Sequence, residues 1–249
     1  MMRRVVLVHT VAGLVPVFAD LAEGLPGDVK ISNIVDESLL EDAIAAGALT
    51  PSVSRRVVDH ILSAADSGAV AVLATCSSIG PAVEIASRLV GVPVLRIDEP
   101  MASAAIQSGT RIGVLATVAS TLDPTVDLLR RCAQRLAKEV EVVPVLKSDA
   151  FAAIRSGDGA GHDAIIGEAV VHLAGDVDAI VLAQASMARV VATLEPGAVT
   201  VPVFSSPASG MARLATVLEE TAVAASKDRS DHGGRASRHE QERCSCVSS

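Results

Sequence analysis

One cysteine lies where a parallel sheet would present chemistry. Thr75-Cys76-Ser77-Ser78 follows the apolar run Val70-Ala71-Val72-Leu73-Ala74 and precedes Gly80-Pro81, so a strand end runs into a helix start. A helix start beside a thiol favours the thiolate, which makes Cys76 a candidate base or nucleophile. A cysteine serving only as a small buried hydrophobe would not be flanked by three hydroxyl groups. His9 ends the first apolar run and is the second candidate acid–base group. Asp98 and Glu99 precede Pro100 and read as helix-starting residues rather than catalysts. Cys132 falls on an apolar helical stripe, and Cys244 and Cys246 form a C-x-C in a polar tail without companions at metal-ligand spacing, so no metal site is expected. The Gly-rich Ser156–Gly161 contains G-x-G but follows a helical stretch, not a strand, and is no dinucleotide fingerprint.

The elements that must position these groups occur twice. Val92-Pro93-Val94 recurs as Val201-Pro202-Val203, Val70–Cys76 as Asp178–Gln184, and Val5–Ala12 as Ile112–Ala119, all at spacings near 108. Strand-length apolar runs alternate with helical patterns, the signature of parallel βαβ units. Strands are expected near 4–8, 29–34, 69–75 and 92–97, then 111–116, 140–146, 178–184 and 200–205. Thr50-Pro51 opens a helix with Val53, Val57, Val58, Ile61 and Leu62 on one face, stopped by Gly68. Asp123-Pro124 is expected to open another, with Val126, Leu129, Cys132 and Leu136 buried; Glu99-Pro100 opens a third, and His162-Asp163 a fourth. The fold class is therefore α/β, with two similar half-domains, each a parallel four-stranded sheet flanked by helices, related by a pseudo-two-fold axis. The first half comprises 1–100 plus 208–225, the second 101–207, and 226–249 is expected to be a disordered polar tail.

Ligands of open parallel sheets lie beyond the carboxyl ends of the strands. Those ends supply Thr10, Thr75, Ser77, Ser78, Thr117, Gln184 and Ser186 as candidate substrate-binding residues, a hydroxyl- and amide-rich lining suited to a small anion. The chain has no Trp or Tyr, three Phe and a formal charge of -8, which argues against nucleic acid. An aromatic-poor pocket also points to a short polar acid. No apolar run reaches membrane-spanning length, no signal segment precedes Val5, and the cysteines lack a disulfide framework, so a cytoplasmic protein without a membrane partner is expected. No surface pattern singles out a homo-oligomer, which is left open.

Leu73-Ala74-Thr75-Cys76-Ser77-Ser78 resembles the first cysteine motif of the aspartate/glutamate/hydantoin racemase superfamily. Leu182-Ala183-Gln184-Ala185-Ser186-Met187-Ala188 is similar to the second motif of hydantoin racemases, Leu-Gly-Cys-Ala-Gly-Met-Ala. The resemblance covers about residues 3–225. It implies an active site between two half-domains, no pyridoxal phosphate, no metal and no other cofactor, and proton transfer at a carbon acid by two opposed cysteines. Here the second cysteine position holds Gln184, or Ala185 if the register slips by one, and an amide does not titrate. Three readings follow: an isomerase or racemase of a small carboxylate using Cys76 with another group such as His9; a single-cysteine decarboxylase or lyase using the same cleft; and a metabolite-binding protein without turnover.

Overall fold

The computed structural model describes residues 2–224; the polar segment from Ser226, with Cys244 and Cys246, lies outside the described residues. Among the described residues, eight strands form two four-stranded parallel sheets. The first sheet contains β1 (Arg3–His9), β2 (Val29–Val35), β3 (Ala71–Ala74) and β4 (Val94–Arg96) in the order β2-β1-β3-β4. The second contains β5 (Arg111–Ala116), β6 (Glu141–Leu146), β7 (Ala179–Leu182) and β8 (Val203–Ser205) in the order β6-β5-β7-β8. Register repeats with order: Val5 pairs with Ala71 as Ile112 pairs with Ala179, and Val8 with Ala74 as Leu115 with Leu182. The two halves are copies of one plan. The last two strands of each sheet are shorter than their apolar runs, because Val70, Pro93 and Pro202 serve the ladder through single backbone groups at its ends.

Both faces of each sheet are covered, which is why the central strands are apolar without alternation. On the first sheet, Val6, Val8, Val72 and Ala74 pack under α2 (Ser38–Ala46), α3 (Pro51–Asp66) and α4 (Gly80–Ala86). The Thr50 side chain accepts from the Val53 N–H, so α3 starts on a true N-cap with Pro51 behind it. The opposite face, with Val5, Leu7, Ala71 and Leu73, lies under Phe18 of α1 (Val15–Ala22) and Met211, Leu214 and Leu218 of α10 (206–224). A Cβ on Gly210 would come within 2.7 Å of the Ile97 backbone O, so only glycine lets α10 approach the first half this closely.

The second sheet is covered likewise. Met101, Ala102, Ala105 and Ile106 of α5 (Glu99–Ser108) and Leu129 and Cys132 of α6 (Ala119–Arg135) cover Ile112, Val114, Ala179 and Val181. α7 (Ser148–Arg155), α8 (Gly159–Leu173) and α9 (Ala188–Val191) cover Leu115, Ile180 and Leu182. Thus α5 leaves the first half to cover the second sheet, and α10 leaves the second half to cover the first. That reciprocal exchange is the one a pseudo-two-fold relation requires.

Three helix expectations need correction. α6 begins at Ala119, not at Asp123-Pro124: Pro124 is the sixth helical residue and removes only the bond its missing N–H would have made to Ser120. Thr121 is thereby placed in the helix's first turn. Leu136 caps the same helix and is 45% exposed instead of buried. α8 begins at Gly159, three residues before His162, because the Asp158 side chain caps it by accepting from the Gly161 N–H at 2.8 Å.

Candidate active site

The carboxyl ends of the two sheets meet around a cavity of about 220 Å³. Thr10, Thr75, Cys76, Ser77 and Ser78 reach it from the first half; Thr117, Thr121, Gln184 and Ser186 reach it from the second. Ser206, at the start of α10, closes part of the wall. Two hydroxyl bonds tie the halves together here: Ser77 Oγ donates to the Ala183 backbone O at 3.2 Å, and Ser78 Oγ and Thr121 Oγ1 share a 2.7 Å bond.

Cys76 and Gln184 occupy equivalent places. Each precedes a single 3-10 turn, Ser77–Ile79 and Ala185–Met187 respectively. Cys76 has φ −129° and ψ 125°, Gln184 φ −124° and ψ 136°, so the match is Gln184 without a register slip. Cys76 is half-buried and on the cavity wall. The Gln184 amide has one orientation: its Oε1 accepts from Thr117 N at 2.7 Å and Thr117 Oγ1 at 2.9 Å, and a backbone N–H can only donate. Its NH2 group makes no hydrogen bond to any described residue and stays available to a ligand.

His9 does not line the cavity. Its ring is buried, tilted against Phe18 at a centroid separation of 5.6 Å, with Thr75 between it and the ligand space. Nε2–H donates to Asn33 Oδ1 at 2.9 Å, which leaves Nδ1 to accept from the Thr75 hydroxyl at 2.9 Å. Burial pushes the His9 pKa below its ordinary value, partly opposed by the Asn33 bond. A neutral ring so held positions Thr75. Asp98 and Glu99 are also away from the cavity: the buried Asp98 carboxylate accepts from Arg96 Nε and Nη2 at 2.9 and 2.7 Å, and Glu99 pairs with Arg135.

Two features escaped the sequence reading: the apolar side of the cavity and His162. Phe151 and Ile154 of α7, with Val11, Leu14 and Leu40, give the cavity an apolar side, so the pocket is not free of aromatic surface. Thr10, expected from its strand end, lines the cavity with a buried hydroxyl that has no partner among the described residues. His162, in the first turns of α8, is 2% exposed and also on the cavity wall. Its Nδ1–H donates to Asp163 Oδ1 at 2.7 Å, and Arg189 holds that carboxylate through Nη2 at 2.7 Å and Nε at 3.0 Å. The Arg189 bond holds the Asp163 carboxyl below its usual range; burial opposes it, and the His162 bond adds to the lowering. The sequence signal was the adjacent His-Asp pair at a helix start, which only the fold connects to Cys76.

Groups not consumed by internal bonds therefore converge on one space: the thiol of Cys76, the hydroxyls of Thr10, Ser186 and Ser206, the Gln184 NH2 and the His162 Nε2. No Lys or Arg lines the cavity among the described residues. Neutral donors in a recessed site suit a small anion, because each hydrogen bond to a charged acceptor is stronger than one between neutral groups.

Solved structures share this fold. A glutamate racemase from Bacillus anthracis is 18% identical, with 88% of this chain and 82% of that one covered and a TM-score of 0.67. Picrophilus torridus aspartate racemase is 14% identical over 86% and 94%, TM-score 0.65. Allantoin racemase from Klebsiella pneumoniae is 18% identical over 89% of each chain, TM-score 0.63. Compared with curated protein sequences, the chain has no match. The family model for Asp/Glu/Hydantoin racemase matches residues 10–214, most of the chain and every strand-end residue of the cavity. The chain belongs to the Asp/Glu/Hydantoin racemase family.

Proposed function

We propose that this protein is a cofactor-independent isomerase of racemase type, acting on a small carboxylate by proton transfer at the α-carbon with Cys76 as acid and base. The observation that carries this reading is the Cys76 thiol on the wall of a cavity between the halves, with neutral unused donors around it. A carboxylate on the Thr10, Ser186, Ser206 and Gln184 donors becomes a better electron sink as the α-proton leaves, because charge moves onto oxygens already hydrogen-bonded. The side of the cavity formed by Leu14, Leu40, Phe151 and Ile154 suits an apolar part of the substrate. Gln184 supports the carboxylate without moving a proton. His9 acts through Thr75 and positions it.

The single-thiol lyase is the second reading, favoured by the amide at the position equivalent to Cys76. One experiment separates the readings. The wild-type chain is incubated in D2O with each enantiomer of aspartate, glutamate and allantoin, and with methylmalonate, and products are followed by NMR and carbon dioxide release. The isomerase reading expects deuterium at the asymmetric carbon and the opposite enantiomer, without carbon dioxide. Carbon dioxide with label in the product alone would replace it by the lyase; binding with neither would replace both by a metabolite sensor.

A further inference from the structure

We infer that His162 is the second acid–base group of this site, working on the substrate face opposite Cys76 in place of the thiol that Gln184 displaces. The inference rests on the racemase reading above and deepens it. Three observations carry it. His162 and Cys76 belong to different halves and line the same cavity. The imidazole is 2% exposed on the cavity wall, and its Nε2 has no partner among the described residues, so that nitrogen is the one left for a ligand. Asp163 accepts from Nδ1–H at 2.7 Å, fixing the tautomer with the Nε2 lone pair free and stabilising the imidazolium when it forms.

The same network ties His162 to the Gln184 side. Arg189 grips Asp163 through two nitrogens, and its Nη1 donates to Ser186 O at 3.3 Å, in the turn that Gln184 opens. The imidazole is thus tethered to the turn that holds the Cys76 counterpart. Of the titratable side chains on the wall, Cys76 and His162 are the two among the described residues. Arg189 and Asp163 face His162 from α9 and α8 and lie off the wall.

The step balances without a further reactant. The Cys76 thiolate takes the α-proton of one enantiomer and becomes the thiol; the carbanion's electron pair, held as an enolate on the carboxylate, returns to carbon and takes the Nε2 proton of the His162 imidazolium from the other face. The product is the opposite enantiomer, and the enzyme is left as thiol and neutral imidazole. That form is the one that reacts in reverse, and proton exchange with solvent resets it.

Two measurements test the role. The first needs no substrate: alkylation of Cys76 by iodoacetate in the full chain, followed on the Cys76 peptide by mass spectrometry between about pH 5 and 9. The wild type should show two ionisations, and His162→Gln and His162→Asn only one, with thermal unfolding midpoints near wild type. An unchanged profile in both variants overturns the pairing. The second is deuterium exchange into each enantiomer of aspartate, glutamate and allantoin. Cys76→Ser should lose exchange of one enantiomer and the His162 variants of the other, each by about 10²–10⁴-fold. His162 variants that exchange both enantiomers as fast as wild type overturn the role of His162 alone. Wild type exchanging none of the probes overturns the racemase reading, and this role with it.

Discussion

Arg96→Met should cost the fold about 3–5 kcal/mol, the range for removing one partner of a buried ion pair. Arg96 and Asp98 are both buried, with side chains 5% and 1% exposed. The guanidinium gives Nε to Asp98 Oδ1 at 2.9 Å and Nη2 to Oδ2 at 2.7 Å, a bidentate pair, and Nη1 to Glu84 Oε1 at 2.5 Å. Burial by itself would lower the Arg96 pKa, but the charges and bonds of Asp98 and Glu84 outweigh it and hold it above its ordinary value. Two hydrogen bonds to a charged group at about 1.5–3 kcal/mol each give about 3–6 kcal/mol, which overlaps the ion-pair range. Glu84 is 39% exposed and keeps Arg131, so the loss falls on Asp98, which no other side chain among the described residues contacts by a hydrogen bond or ion pair. The guanidinium also lies against Gly80, where a Cβ would come within 2.2 Å of Cζ, so the pair backs the first turn of α4 just after Cys76–Ile79.

The assay is urea unfolding of four chains: wild type, Arg96→Met, Asp98→Leu and the double variant. Arg96→Met should lower the midpoint most. The double variant should be more stable than Arg96→Met, because no buried charge is left unpaired. A loss below about 1 kcal/mol in Arg96→Met, or a double variant costing the sum of the singles, would refute the reasoning.

Two further outcomes follow from the site. His9 is held neutral, with its folded pKa below the unfolded value of about 6.5, so the unfolded chain binds the extra proton and stability falls as pH drops through about 6.5 toward the folded pKa; in His9→Gln that component of the pH slope, measured by thermal unfolding, should disappear. Thr10→Val removes a buried hydroxyl that has no partner, so it should leave stability within about 1 kcal/mol of wild type or raise it, while turnover falls; a clearly destabilised Thr10→Val would mean that the hydroxyl serves the fold.

Much of this molecule was legible because central strands covered on both faces must be apolar throughout, and three pairs of strand-length runs recur at one spacing. The strand-end rule then selected Cys76, Thr10, Thr117 and Gln184 for the cavity wall. It could not say which way a strand-end side chain points. His9 and Thr10 are neighbours in an extended chain, and successive side chains face opposite ways, so Thr10 takes the cavity and His9 the interior. His162 was hidden for another reason: α8 begins at Gly159 after its Asp158 cap, and whether a helix's first turns overlook the cleft depends on how α7 and α8 pack. Pro124 misled because proline is normally confined to a helix's first turn, whereas α6 carries it at the sixth residue and forgoes the bond to Ser120.

The account turns on a proton moved by Cys76. Inversion of configuration by Cys76→Ser, measured by circular dichroism on the substrate the wild type turns over and with the fold checked by thermal unfolding, is the most direct test. The account predicts that inversion is lost in both directions, because one of two required proton carriers is gone. Inversion at the wild-type rate would contradict it.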